Sequence, residues 1–148
     1  MGFEYITRIP SSEEIIRQFP ATEKVLAIKA RRDQEIQDIL TGQSDKFLLI
    51  IGPCSADSEE PVLEYCHRLS LLQEEVADRL VLVPRIYTNK HRTTGEGYKG
   101  ISHQPDPERE PDMVGGLIAL RRLHLHAIEQ TGLSAADEML YPENHTYL

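Results

Sequence analysis

A cysteine follows the first long apolar run of the chain, where its thiol could act as a metal ligand. The segment FLLIIGPCSAD, residues 47–57, places Cys54 directly after a Gly-Pro turn. A thiolate is a soft ligand for transition metals, and a turn position keeps it accessible. A free cysteine can equally be an inert buried thiol, and no second cysteine or His-x-x-His pattern stands nearby. The spacing leaves both interpretations open.

An arginine within the second apolar run is suited to bind a carboxylate or a phosphate. Arg85 lies in LVLVPRIY, residues 80–87. A charge in such a run is rarely buried unless it is paired or liganded, and a guanidinium can donate two parallel hydrogen bonds to an oxyanion. The alternative is an outward-facing strand residue, which alternation would permit. We favour the ligand interpretation.

A basic, glycine-rich segment follows this strand. KHRTTGEGYKG, residues 90–100, contains the cations Lys90, Arg92 and Lys99, two threonines that include Thr93, and three glycines. Such a segment supplies hydrogen-bond donors and a backbone that can approach an oxyanion closely. It is not a P-loop, since Gly-x-x-x-x-Gly-Lys-Ser/Thr is absent. Taken alone, it could also be a solvated basic loop.

A carboxylate stands at the end of a third apolar stretch. Glu138 could orient a water molecule or balance the cations, or it could simply form an ion pair with Arg85. If the three stretches are parallel strands, then Cys54, Arg85 and Glu138 all point to one edge of the sheet. His103, His124, His126 and His145 lack mutual ligand spacing, so we expect them to be structural or exposed.

The order of elements that would position these residues predicts an α/β fold. A short helix begins at Ser11 or Ser12, and a longer one is capped by Thr22 and closed by Gly42. The remaining predicted elements, in chain order, are a strand buried on both faces at 47–51, a helix at 61–78, a strand at 80–87, a loop at 88–112, a helix at 113–131 and a strand at 134–140. Pro84 predicts an irregular or locally unpaired second strand. The β-α-β-loop-α-β order indicates parallel strands.

Bulk composition limits the function classes. A chain of 148 residues suffices for one domain but not for the roughly 250 residues of a complete (β/α)₈ barrel. The net charge of −8 argues against a general nucleic-acid binder, and no apolar run approaches the ~20 residues that span a bilayer. The first residues carry no secretion signal. Two cysteines twelve positions apart do not form a disulfide framework, so we expect reduced thiols in a cytoplasmic protein.

Several motifs occur together in the order of a known family. They are IGPCS, PRIY, KHRTT…YKG and LSAADEMLYPENHTYL, with PATEKV and ILTGQSDKFLLIIGPCSAD as further matches. This combination closely resembles 3-deoxy-D-arabino-heptulosonate 7-phosphate (DAHP) synthase of the microbial type I group, from about Phe19 to the last residue. The resemblance implies a (β/α)₈ barrel that joins phosphoenolpyruvate to erythrose 4-phosphate and water, releasing phosphate, with a divalent metal (Mn, Fe, Co or Zn).

The resemblance also implies roles for individual residues. Cys54 corresponds to a metal ligand, and the residues that correspond to the phosphoenolpyruvate site are Arg85, Lys99 and Glu138. The erythrose 4-phosphate segment of the family, Lys-Pro-Arg-Thr, corresponds to Lys90, Arg92 and Thr93, with His91 in place of the proline. Lys90 and Glu138 are the candidates for catalytic groups.

The resemblance covers only part of the family's fold. Residues 1–45 correspond to an N-terminal helical extension used for oligomerisation and regulation, and residues 46–148 to about the first three strands of the barrel. The family's other metal ligands lie further downstream. We therefore expect a truncated chain that is inactive alone and forms a homo-oligomer or associates with the missing half of the barrel. The alternatives are a non-catalytic regulatory partner of a full-length synthase and one half of a split enzyme.

Overall fold

Helices and strands alternate along the chain in the order of an α/β protein. The computed structural model describes residues 7–92, 94, 96–140 and 142–148. In these ranges the elements are α1 Ser12–Gln18, α2 Glu23–Leu40, β1 Phe47–Ile51, α3 Glu59–Val76, β2 Leu80–Pro84, α4 Met113–Thr131 and a 3₁₀ helix Pro142–Tyr147. β1 pairs with β2 in parallel, and α3 forms the connection between them. The predicted α/β class with parallel strands is confirmed.

Side-chain caps begin the first two helices where the sequence predicts them. At α1 the hydroxyl of Ser11 accepts the amide N–H of Glu14, and the Glu14 carboxylate accepts the amide N–H of Ser11, which is a capping box. At α2 the Thr22 hydroxyl accepts the amide of Val25 at 3.3 Å. Gly42, with a φ of 74°, follows the end of this helix. Local sequence therefore sets both starts and the end of α2.

The two later helices also lie close to their predicted positions. α3 begins at Glu59, two residues before the predicted Pro61. Proline is tolerated there because the first-turn amides of a helix have no partner within it. α4 ends as expected at Gly132, whose φ of 69° is left-handed, and the Asp112 side chain caps its start by accepting the amide of Gly115.

The prediction that the strand 47–51 is buried on both faces is wrong. Phe47 is 65% exposed, Ile50 50% and Ile51 41%. The reason is its place in the sheet, since among the described residues β1 has β2 as its single hydrogen-bonded neighbour and forms an edge. β2 is the buried strand, and Val81, Leu82 and Val83 all lie in the interior.

The third predicted strand, residues 134–140, is reduced to a single bridge between Arg85 and Ala136. Ile86 donates its amide to the Ala136 carbonyl at 2.8 Å, and Ala136 donates to the Pro84 carbonyl at 2.9 Å. Backbone N–H groups alternate in direction along a strand, so residues 84 and 86 face the same neighbour. Because Pro84 has no N–H, it cannot donate the hydrogen bond to residues 134–140 that another residue would donate there. Accordingly β2 ends at Pro84 rather than at Tyr87. The 3₁₀ helix that follows at 142–147 was not predicted.

The core lies between β2, α3 and α4. One apolar cluster contains Cys66, Ile86 and Leu123, and a second contains Leu69, Leu82 and Leu133. The N-terminal helices pack against this unit, and their contacts include hydrogen bonds from Thr22 to Glu129, from Arg121 to the Phe19 carbonyl and from Tyr147 to the Pro10 carbonyl. The division of the chain into residues 1–45 and 46–148 stays a prediction. Among the described residues, no helix is long and apolar enough to cross a membrane.

Candidate functional site

The turns that follow β1 and β2 lie against each other. The Ala56 amide donates to the Tyr87 carbonyl at 2.7 Å, and the guanidinium of Arg85 donates from Nε and Nη2 to the Pro53 carbonyl at 3.1 and 2.9 Å. A Cβ at Gly52 would lie 2.7 Å from the Cβ of Arg85, so a residue without a side chain is required for this approach. The two strand ends therefore form one continuous edge.

Cys54 and Lys90 meet at this edge. The Lys90 ammonium donates to the Cys54 sulfur at 2.9 Å, and the thiol is exposed. The hydrogen bond from Lys90, together with its positive charge, lowers the pKa of the Cys54 thiol below its ordinary value. The interpretation of Cys54 as an inert buried thiol is therefore wrong. Cys66 is the buried thiol, and burial raises its pKa to about 11.

Arg85 and Glu138 act on the same thiol. The charge of Arg85 lowers the pKa of Cys54 further, whereas the charge of Glu138 raises it. The Arg85 guanidinium also lies over the Tyr87 ring, 4.6 Å from its centroid. Both Arg85 and Glu138 are among the described residues, and no ion pair joins them, so the alternative of a simple Arg85–Glu138 pair is wrong.

The basic segment after β2 folds back on itself. The Lys90 amide donates to the Lys99 carbonyl at 2.9 Å, and Arg92 Nε donates to the Tyr98 carbonyl at 2.9 Å. Gly100, with a φ of 94°, closes this turn, and a Cβ there would lie 2.3 Å from the Thr88 carbonyl oxygen. In the described part of the predicted loop, the side chains of Arg92 and Lys99 are exposed. The predicted site residue Thr93 lies outside the described residues.

A buried polar layer beneath the edge was not predicted from the sequence. Thr88 and Asn89 are both 0% exposed, and the Asp137 carboxylate accepts the Thr88 amide at 2.8 Å and the Thr88 hydroxyl at 2.5 Å. His124 contacts the same carboxylate at 3.1 Å, which fits its predicted structural role. A sequence signal did exist, because Thr-Asn directly follows the predicted strand 80–87 and Asp137 immediately precedes Glu138. Polar residues in such positions need partners.

The donors in the described part of the chain do not by themselves make a metal site. Among the described residues, no group of three His, Cys, Asp or Glu side chains is placed to hold a metal ion. The hydrogen-bond partner of the Cys54 sulfur is the cationic Lys90 at 2.9 Å, and a cation is not a metal ligand. A single thiolate is too few ligands for a divalent ion.

The chain is similar in sequence to proteins of one known family. The sequence pattern of the DAHP synthetase I family matches residues 16–148. The chain belongs to this family. It is 39% identical over 126 residues to the Phe-sensitive phospho-2-dehydro-3-deoxyheptonate aldolase of Escherichia coli K12, which covers 85% of the chain and 35% of that protein. The Tyr-sensitive enzyme of the same strain is 37% identical over 136 residues, 92% of the chain and 38% of that protein.

A solved structure shows the same fold. The phospho-2-dehydro-3-deoxyheptonate aldolase of Francisella tularensis SCHU S4 superposes with a TM-score of 0.91 at 24% identity. The match covers 99% of the chain and 42% of that structure, and the chain spans just over a third of the length of the two Escherichia coli relatives. It therefore corresponds to an N-terminal portion of a DAHP synthetase I family protein.

Proposed function

We propose that this chain forms the first part of a 3-deoxy-7-phosphoheptulonate synthase site, which binds phosphoenolpyruvate and erythrose 4-phosphate. The observation that supports this most directly is the contact of Lys90 with the Cys54 thiol where the ends of β1 and β2 meet, with Arg85 and Glu138 near enough for their charges to shift the pKa of that thiol. Two phosphorylated substrates need a cationic edge, and this one lies on a protein with a net charge of −8.

In this proposal phosphoenolpyruvate lies between Arg85, Lys99 and Glu138. Hydrogen bonds to the Pro53 carbonyl and contact with the Tyr87 ring hold the Arg85 guanidinium in place before any ligand arrives. Preorganised donors bind an oxyanion at a lower entropic cost than mobile ones. The carboxylate of Glu138, which is exposed at the same edge, can orient the attacking water.

Erythrose 4-phosphate would bind to the basic turn through Lys90, Arg92 and Thr93. The described part of this turn is closed by the Lys90–Lys99 backbone hydrogen bond and keeps Arg92 exposed to solvent. Lys90 is the second catalytic candidate, because an ammonium at the junction of both substrates can stabilise negative charge on the aldehyde oxygen.

The finer features of the family are part of the same proposal. The parallel strands would be the first of a (β/α)₈ barrel, and helices of the N-terminal extension would support oligomerisation. Cys54 would contribute one ligand to a divalent metal (Mn, Fe, Co or Zn) whose other ligands are not among the described residues. The metal would supply Lewis-acid chemistry when bound. Both cysteines are free thiols, Cys54 exposed and Cys66 buried, which fits a reducing compartment, the cytoplasm.

Two alternatives use the same structure differently. The chain could associate with a full-length synthase as a non-catalytic regulatory partner, or it could be one half of a split enzyme. The exposed apolar side chains of β1, which include Phe47 and Ile50, are the observation that favours an associating partner over a free-standing monomer.

The test is titration calorimetry of the purified 148-residue chain with phosphoenolpyruvate. We expect weak binding by the wild type, loss of it in Arg85→Ala, and no change in Arg79→Ala, whose exposed side chain pairs with Asp78. A heat signal that Arg85→Ala leaves unchanged would contradict the proposed site. Ultraviolet measurement of phosphoenolpyruvate loss with erythrose 4-phosphate and Mn²⁺ should show no turnover by the chain alone.

A further inference from the structure

Four contacts surround the buried Asp137 carboxylate near the candidate site. Its Oδ1 accepts the amides of Thr88 at 2.8 Å and of Glu138 at 2.7 Å. Its Oδ2 accepts the Thr88 hydroxyl at 2.5 Å and contacts His124 Nε2 at 3.1 Å. The side chain is 0% exposed, so these four contacts replace all of its hydration.

We propose that Asp137 is a positioning residue that fixes the spacing between Lys90 and Glu138. It holds the backbone amide of Glu138 directly, and it holds both the amide and the hydroxyl of Thr88, two residues before Lys90. One carboxylate therefore joins the chain segments that carry the two catalytic candidates. Neither catalytic candidate needs to touch its side chain for this to work.

A second buried contact supports the same junction from the neighbouring residue. The side-chain Nδ2 of Asn89 donates to the Glu138 carbonyl at 3.3 Å, and the side-chain Oδ1 of Asn89 accepts the Ser102 hydroxyl at 2.6 Å. Asn89 thereby ties the segment before Lys90 to the backbone of Glu138 once more. Two adjacent residues, Thr88 and Asn89, thus fix the register of one strand end against the other.

His124 completes the arrangement as the donor from α4. A buried carboxylate is costly unless it is paired or fully hydrogen-bonded, and His124 lies 3.1 Å from Oδ2 with its side chain 8% exposed. With Nε2 donating, the imidazole supplies a hydrogen bond to Oδ2 and holds the Asp137 carboxylate in place beside Thr88. We expect His124→Gln to retain part of the effect, because an amide can still donate, and His124→Leu to lose it.

The inference rests on the proposed function only for the identity of the ligand. The first measurement is therefore made without any ligand. Amide hydrogen exchange is measured at Lys90, whose N–H is donated to the Lys99 carbonyl. We expect exchange at Lys90 to be at least ten-fold faster in Asp137→Asn than in the wild type. The control is Leu69→Ala, which opens a cavity in the core near Leu82 and Leu133 and lowers global stability without touching this layer.

The second readout is phosphoenolpyruvate affinity by calorimetry in the same variants. A positioning role predicts at least a five-fold weaker affinity in Asp137→Asn, partial retention in His124→Gln and an unchanged affinity in folded Leu69→Ala. Equal exchange rates at Lys90 in Asp137→Asn and Leu69→Ala would overturn the inference. If the wild type binds no phosphoenolpyruvate but Lys90 exchange depends on Asp137, the positioning role stands and the proposed function fails.

Discussion

The ammonium nitrogen of Lys90 lies 2.9 Å from the sulfur of Cys54, so a cation that follows β2 meets a thiol that follows β1. The contact favours the thiolate over the thiol and lowers the pKa of Cys54. It also places the positive charge where an anionic substrate would approach. A measurement of the pKa of Cys54 therefore tests whether the residues after β1 and β2 lie next to each other as in the structure.

The first prediction concerns this thiol. Replacing Lys90 with Met removes the hydrogen bond and the charge that lower the pKa of Cys54, so its pKa should rise. The rate of alkylation by iodoacetamide follows the thiolate fraction. A plot of this rate against pH should therefore inflect below the ordinary pKa range of cysteine in the wild type. In Lys90→Met the inflection should move to higher pH.

The control for that experiment is within the chain. Cys66 is buried and its pKa is raised to about 11, so it should remain unmodified near neutral pH in both proteins. Mass spectrometry of peptides separates the two cysteines. An inflection that does not move in Lys90→Met would show that the Lys90–Cys54 contact is not formed in solution.

The second prediction concerns the close approach at Gly52. In Gly52→Ala the new Cβ would lie 2.7 Å from both the Cβ and the carbonyl oxygen of Arg85, so one strand end must shift. We expect the free energy of unfolding to fall by about 1–3 kcal/mol, the usual cost of overpacking. Phosphoenolpyruvate binding should weaken as well, since Arg85 is displaced.

Gly42→Ala is the comparison for this variant. Gly42 has a φ of 74° but no atom within 4 Å of its Cβ position, so alanine there meets backbone strain alone, about 1 kcal/mol. Urea unfolding gives the stability of both variants. If Gly42→Ala weakens anion binding as much as Gly52→Ala does, the effect is global and the packing argument at Arg85 is wrong.

Much of this fold was predictable because its signals are local. The capping box at Ser11, the cap at Thr22 and the glycine after α4 each set a helix end within a few residues. The placement of Cys54 near Arg85 and Glu138 was predictable as well, because parallel strands bring their carboxyl ends to one edge, whereas the roles of these residues stay predictions. No long-range information was needed for either result.

The errors have a common physical origin in contacts between distant residues. An apolar run such as Phe47–Ile51 predicts a strand, but its burial depends on which neighbours cover it, and the described neighbours cover one side. Likewise, Asp137 gains its role from Thr88, 49 positions away, and no periodicity encodes that pairing. The sequence shows that Pro84 has no N–H to donate to a neighbouring strand. Only the structure shows that residues 134–140 are that neighbour, and that they form a single bridge there instead of a strand.

The third prediction compares two adjacent arginines on α2. The Arg32 side chain is 5% exposed, donates to the Leu82 carbonyl at 2.6 Å and pairs with Glu35 at 2.6 Å, and burial lowers the pKa of its guanidinium. Arg32→Ala leaves the carbonyl and carboxylate without this partner, so we expect a loss of about 2–4 kcal/mol of stability.

Arg31→Ala is the matched control, because this exposed side chain donates to the Gly132 carbonyl at 3.1 Å. We expect a change of about 0.5 kcal/mol or less for an exposed contact of this kind. Thermal or urea unfolding measures both variants under identical conditions. Equal losses in the two variants would mean that Arg32 does not anchor α2 to the sheet.

The last prediction concerns the exposed edge strand β1. Phe47, Ile50 and Ile51 expose large apolar side chains beside backbone groups that β2 leaves unpaired, which is a surface prone to pair with another chain. We expect concentration-dependent association of the 148-residue chain in light scattering. Ile50→Lys should reduce it by placing a charge on the edge, whereas Leu71→Lys, at an equally exposed apolar residue of α3, should not. Equal suppression by both variants would point to general surface hydrophobicity instead of the edge of the sheet.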